Sequence, residues 1–167
     1  HQLNPEGVEE VDAARARFVR EVEAIATIDH PHVVRLRAHG QTPDGVPYLV
    51  MDLLDGESLH ARLEGAGTLS LRVTALIVAQ IGRAIDAAHA LGVVHRDVKP
   101  SNIILLYPER GGGTRLMDFG LAKIHGSMQL TQAGMVAGSP SYISPEVWRA
   151  KPFDHRIDVY SFAAVIF

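Results

Sequence analysis

From Ser70 to Leu91 the chain is almost continuously apolar, long enough for several helical turns, and it stops at Gly92, a residue suited to ending a helix. A helix of that character has to be covered by other elements, so any fold of this chain must build its core around it. It does not read as a membrane span. The apolar region from Leu69 to Val94 is broken by Arg72, Arg83 and Asp86, and no stretch reaches the roughly 18 uncharged apolar residues that a crossing helix needs.

Other segments arrange themselves about that helix. Val11, Ala14, Phe18, Val22 and Ile25 recur at steps of three and four, which predicts a helix over 11–28 that ends at Asp29–Pro31 because the residue before proline leaves the helical region. Val33 to His39 and Val46 to Met51 read as two strands joined by a turn at Pro43, Asp44 and Gly45. A polar connector over 52–56 leads into a short helix over 58–64. Ile103 to Leu106 and Arg115 to Met117 read as a second hairpin across Gly111 to Gly113, and 121–145 reads as a long loop of the kind that is usually functional. A last apolar helix begins near Asp158 and is still running at Phe167. The order is α, β, β, then mostly α with a small hairpin, without internal repeat or low-complexity linker.

Composition narrows the function. The chain has 167 residues, 47% of them hydrophobic and 21% charged, which places it among globular domains rather than disordered segments. A formal net charge of -3 and the absence of any Lys or Arg run argue against nucleic acid as the main partner. There is no cysteine, which excludes disulfides and thiolate zinc sites and fits a cytoplasmic location, and none of the histidines has metal-ligand spacing on a helix. The N-terminus is acidic and polar, unlike a secretory signal, and His1 in place of a start methionine suggests a cut sequence.

The chemistry is concentrated in Gly92-Val-Val-His-Arg-Asp-Val-Lys-Pro-Ser-Asn102, which packs an acid, a base and an amide into one predicted loop. It is followed by Asp118-Phe119-Gly120 at a strand end and by Ser144-Pro145-Glu146. Taken singly, each residue has an ordinary reading: Asp and Asn as turn formers, Lys99 as a solvated surface group, Asp158 as a helix cap. Together, in this order, they resemble the protein-kinase signatures. His95-Arg96-Asp97 matches the catalytic loop, Asp118-Phe119-Gly120 the metal-binding turn, and Ser144-Pro145-Glu146 stands where Ala-Pro-Glu is usual. The texture, rich in Ala, Val, Arg and Gly, resembles the bacterial eukaryotic-type (Hanks-type) serine/threonine protein kinases.

The resemblance implies an α+β, two-lobed protein-kinase-like fold truncated at both ends: a partial N-lobe over 1–51 (helix C and strands 4–5), a hinge over 52–57, and a partial C-lobe over 58–167. It implies ATP and Mg²⁺ as cofactors and protein Ser/Thr hydroxyls as acceptors. Asp97 would take or orient the acceptor's proton, Asn102 and Asp118 would supply hard oxygen ligands to the metal, and Lys99 would steady the γ-phosphate. Glu21 resembles the helix-C glutamate that pairs with a lysine on the phosphates. Met51, Asp52 and Leu54 resemble the gatekeeper and hinge, with Ile104 beneath the adenine. His95, Phe119, Ile25 and Leu36 look like an apolar spine in which His95 packs and hydrogen-bonds rather than titrating. Arg96, Arg17 and Lys123 match a basic pocket for a phosphate on the activation loop, with Thr131 and then Ser127 as acceptors. Ser139 matches the substrate-loop residue near the catalytic Asp, and Asp158 the buried aspartate that anchors the catalytic-loop backbone.

The pattern departs from the family in one respect. The Gly-rich loop and the partner lysine of Glu21 are missing, since no lysine precedes Lys99. The expectation is that these residues alone are inactive and poorly folded. A pseudokinase that binds nucleotide or scaffolds a partner is the alternative reading, and a small-molecule kinase is disfavoured by Asp97-Val98-Lys99-Pro100 and Ser144-Pro145-Glu146. Dimerisation is left open.

Overall fold

The computed structural model describes residues 16, 18–44, 46–119 and 140–167. Helix α1 covers 18–26 and buries Val22 completely. It is followed by β1 (Leu36–Gln41), β2 (Pro47–Met51), β3 (Gly56–Ser58), α2 (Leu59–Ala66), α3 (Leu71–Ala90), β4 (Ile103–Leu106), β5 (Thr114–Leu116), α4 (Pro145–Trp148) and α5 (Arg156–Ile166).

Helix α3 is the core element that its sequence demanded. Ile77, Ile81, Ala84, Ile85 and Ala88 form its buried stripe. They pack with Ile28, Val33, Leu59, Val93, Val98, Ile103, Leu116 and Phe119 in one continuous cluster. Its ends obey helix chemistry. The Ser70 hydroxyl accepts the Val73 N–H at the N-terminus, and Gly92 follows the C-cap with φ 73°. Ser58 caps α2 in the same manner through Ala61 N–H.

The sheets differ from expectation in register and number. β1 pairs antiparallel with β2, Leu36 opposite Met51, with an irregularity at Leu36–Ala38. Val33, expected to open that strand, instead makes an isolated parallel bridge to Leu116, which draws its side chain into the main core. β4 and β5 form the expected hairpin, one residue earlier than predicted on the β5 side. The turn is made by Gly111, Gly112 and Gly113, all at positive φ, a conformation that residues with a Cβ avoid.

Gly56, expected to end the connector, and Ser58, expected to open the short helix, instead belong to β3, a third strand antiparallel to β4 with Gly56 opposite Leu106. Three residues carry too little periodicity to announce a strand. What makes the pairing possible is the missing side chain: a Cβ on Gly56 would overlap the Leu105 carbonyl oxygen. Among the described residues no helix is long and apolar enough to cross a membrane.

Gly56→Ala therefore forces two backbones apart and is expected to cost about 1–3 kcal/mol in stability, the range of overpacking. Chemical denaturation would measure it. An unchanged midpoint would show that β3 and β4 are not in contact.

Candidate active site

A buried carboxylate organises the site. Asp158, in the first turn of α5 and fully inaccessible, accepts the His95 N–H at 2.7 Å on Oδ2 and the Arg96 N–H at 2.8 Å on Oδ1. Nε2 of His89, from the last turn of α3, lies 2.8 Å from Oδ2. A carboxylate this deep is tolerated because it is met by several hydrogen bonds. The start of α5 is itself fixed by Asp154, whose carboxylate takes the N–H and the guanidinium of Arg156 and is held at about 2 by those hydrogen bonds.

Those bonds fix an uncommon backbone. Arg96 has φ 66°, a left-handed conformation that non-glycine residues adopt at a cost of about 1–3 kcal/mol. His95 locks the same loop from inside. It is 1% exposed, its Nε2 lies 3.0 Å from the Met117 carbonyl, and its Nδ1 accepts the Asp97 N–H at 3.2 Å. That pattern requires the neutral tautomer with its proton on Nε2, and burial pushes the pKa down accordingly, against the opposing charge of Asp158. The His95 ring rests 4.5 Å from that of Phe119, and Ile25 packs on the same cluster. Leu36, the remaining residue of the expected spine, is half-buried in β1.

Asp97, Lys99 and Asn102 stand on this loop. Asn102, 5% exposed, donates through Nδ2 to the Asp97 carbonyl at 2.8 Å and to Asp97 Oδ2 at 3.1 Å. Lys99 Nζ lies 2.8 Å from the same Oδ2. Asp97, Lys99 and Asn102 thus form one hydrogen-bonded group. With both Nδ2 hydrogens used, Asn102 keeps Oδ1 as an acceptor. The Met117 N–H donates to the Asn102 carbonyl at 3.0 Å, which brings Asp118, the next residue, beside it. Asp118 is exposed, has φ 57°, and its carboxylate has no hydrogen bond or ion pair among the described residues. A carboxylate and an amide oxygen are both hard oxygen donors of the type a divalent cation takes.

Glu21 is brought to the loop, with Arg96 as its partner. Glu21 Oε2 lies 3.1 Å from Arg96 Nη1, both side chains about one-third exposed. Met51 closes β2 and Ile104 lies in β4, both half-buried. Asp52 turns outward to a bidentate pair with Arg37, while its N–H bonds Arg35. The N–H groups of Leu53 and Leu54 form no hydrogen bond among the described residues, so the hinge keeps donors to offer. Arg17, Lys123, Ser127, Thr131, Ser139 and Gly120 lie outside the described residues.

One contributor escaped sequence reasoning. His89 sits in an apolar helix with nothing beside it to distinguish it, and its contact with Asp158 spans distant parts of the chain. Ser144, expected where alanine is usual, has a buried hydroxyl without a hydrogen-bond partner among the described residues.

Comparison with known proteins accounts for the arrangement. The protein kinase domain family model matches residues 3–167, and this chain belongs to that family. It is 37% identical over 91% of its length to the serine/threonine-protein kinase pkn3 of Myxococcus xanthus. It is 39% identical over 91% to PkaB of Streptomyces coelicolor. It spans 29% and 37% of those two proteins. Among solved structures it resembles the PknI kinase domain of Mycobacterium tuberculosis, with TM-score 0.72 and 29% identity over 93% of this chain and 56% of that one. It also resembles Rad53 residues 1–466 in complex with AMP-PNP, with TM-score 0.72 and 28% identity over 89% of this chain and 36% of that one. The α+β protein-kinase-like fold inferred from the motifs is therefore the fold observed.

Because His95 is held neutral, the folded protein binds fewer protons than the unfolded chain once pH falls below about 6.5, the ordinary histidine value. The stability from this group is fully present above that pH and declines below it. His30 acts in the same direction, its pKa lowered first by burial. The melting temperature should fall from pH 6.5 towards 5, and His95→Gln should flatten the slope; an unchanged slope in the variant would contradict the neutral lock.

Proposed function

We propose that the parent protein is a serine/threonine protein kinase that transfers the γ-phosphoryl group of ATP to protein hydroxyls with Mg²⁺ as the metal. The observation that carries the reading is the group formed by Asp97, Lys99 and Asn102 with Asp118 beside it. Phosphoryl transfer asks the protein for positioning and charge neutralisation rather than covalent chemistry. Asp97 orients the acceptor hydroxyl and receives its proton, held in place by the Asn102 amide. Lys99, already at the Asp97 carboxylate, reaches the transferring phosphoryl. Asn102 Oδ1 and Asp118 would hold Mg²⁺, which when bound neutralises the phosphate oxygens. Met51, Leu54 and Ile104 form the adenine side, with the hinge N–H groups as donors. The curated relatives' names and the nucleotide analogue in the Rad53 structure support this assignment. Residues 1–51, 52–57 and 58–167 correspond in this reading to N-lobe, hinge and C-lobe.

Phosphotransfer from labelled ATP by the whole protein tests it. Asp97→Asn should lower kcat by about 10²–10⁴-fold with the melting temperature kept. A parent protein that transfers no phosphate under any metal would move the assignment to a nucleotide-binding or scaffolding pseudokinase.

Arg96 serves two anions in this scheme: Glu21 when the activation segment is unmodified, and a phosphate on Thr131 or Ser127, with Arg17 and Lys123, when it is modified. Releasing Glu21 frees it for a lysine on the nucleotide phosphates. Arg96→Ala should therefore raise the activity of the dephosphorylated enzyme and abolish its response to phosphorylation. Reduced basal activity with the response intact would contradict the exchange.

A further inference from the structure

Six cationic or titratable side chains from four separate segments meet on one side of the molecule, around the first residue of β5. Thr114 is the meeting point. Its carbonyl is approached by His32 Nδ1 at 3.1 Å and receives Arg115 Nη1 at 3.1 Å. Its N–H and hydroxyl donate to Gln80 Oε1 of α3 at 2.8 and 3.0 Å. Arg83 is three residues beyond Gln80 and so lies on the same helical face, one turn on. His30 stacks edge-on to His32 with ring centroids 5.6 Å apart, and the charges acting on it are all cationic: His32, Arg83 and Arg115. The remaining two, Arg35 and Arg37, come from the residues leading into β1 and from β1 itself. Asp52, between them, senses Arg37, Arg35 and Arg115.

The cluster is undercompensated. Asp52 is already committed to Arg37. Arg35, Arg83 and Arg115 form no ion pair among the described residues, and neither Asp29 nor Asp86, adjacent in sequence, pairs with the cluster. Arg35 and Arg83 are exposed and Arg115 is half-buried. This concentration of positive charge occurs in a chain whose formal net charge is -3. Like charges held side by side repel, and the fold retains them in fixed places by tying Arg115 and His32 to the backbone.

We infer that this face, built from Arg35, Arg83, Arg115, His30 and His32, is a docking surface for an acidic segment of a partner protein, separate from the phosphotransfer site. The chemistry selects that partner. The free cations are arginines, whose planar guanidinium groups match carboxylates bidentately. Among the described residues the only ring contact in the cluster is that between the two imidazoles, so no stacking platform of the kind single-stranded nucleic acid uses accompanies the arginines. The rest of the chain is correspondingly more negative and is repelled by an extended polyanion such as RNA or an anionic bilayer, whereas a short acidic peptide meets only the patch.

The test is direct binding of a fluorescent Glu-rich peptide to the whole protein without ATP, so its result is independent of whether the protein transfers phosphate. The inference expects binding that weakens as salt rises and that falls at least about tenfold in Arg83→Glu/Arg115→Glu, with Arg149→Glu, at an exposed site outside the cluster, unchanged. Arg35→Glu, in an exposed position, repeats the comparison should the double variant melt early. Absence of binding at low salt, or equal affinity in the charge-reversed variants, would overturn the proposal. So would tighter capture by RNA or by anionic vesicles through these same arginines, which would reassign the surface to a polyanion.

Discussion

The site depends on the carboxylate of Asp158, buried where α5 meets the loop after α3. It accepts hydrogen bonds from the backbone of His95 and Arg96 and contacts His89, and so holds together three parts of the chain that no local rule would bring to one point. Removing one partner from a buried, hydrogen-bonded charge typically costs about 3–5 kcal/mol, comparable with a large part of a domain's stability. The same bonds stabilise Arg96 in a left-handed conformation it would not choose alone, and that turn aims Asp97 towards Asn102 and Lys99. Helix packing, loop geometry and the placing of the Asp97 carboxylate are thus links of one chain of causes.

His95 extends the chain inward. A protonated imidazole would lose the acceptor at Nδ1 that receives the Asp97 N–H, so the neutral form favoured by burial is also the form that the loop geometry needs. Its other nitrogen ties the loop to Met117, and the next residue is the exposed Asp118. One buried ring therefore ties the segment that carries Asp97 to the segment that carries Asp118. Glu21 reaches the same loop through Arg96, which makes the position of α1 sensitive to whatever anion Arg96 holds.

Much of this was legible in the residues because it is local. Ser58 and Ser70 announce their helices, Gly92 and the three glycines before Thr114 announce turns, and the acid, amide and lysine of 97–102 are close in sequence as well as in space. What escaped depends on distance along the chain. β3 exists because Gly56 permits close approach to β4, Val33 leaves its expected strand for a bridge to Leu116, and His89 acquires its meaning only from Asp158. Glu21 was expected to pair with a lysine, whereas among the described residues its carboxylate meets Arg96 of the loop, a contact between distant parts of the chain that no local pattern announces.

The most direct measurement is amide hydrogen exchange at His95 and Arg96 in Asp158→Asn, compared with the parent protein and with a core amide such as Ile81 as internal reference. If the carboxylate holds the loop, exchange at 95 and 96 should accelerate by at least about tenfold beyond any change at Ile81, which reports the global loss of stability, a difference of roughly 1.4 kcal/mol in local protection. Unchanged protection at both amides would mean that the loop keeps its shape without Asp158, and the dependence described here would be wrong.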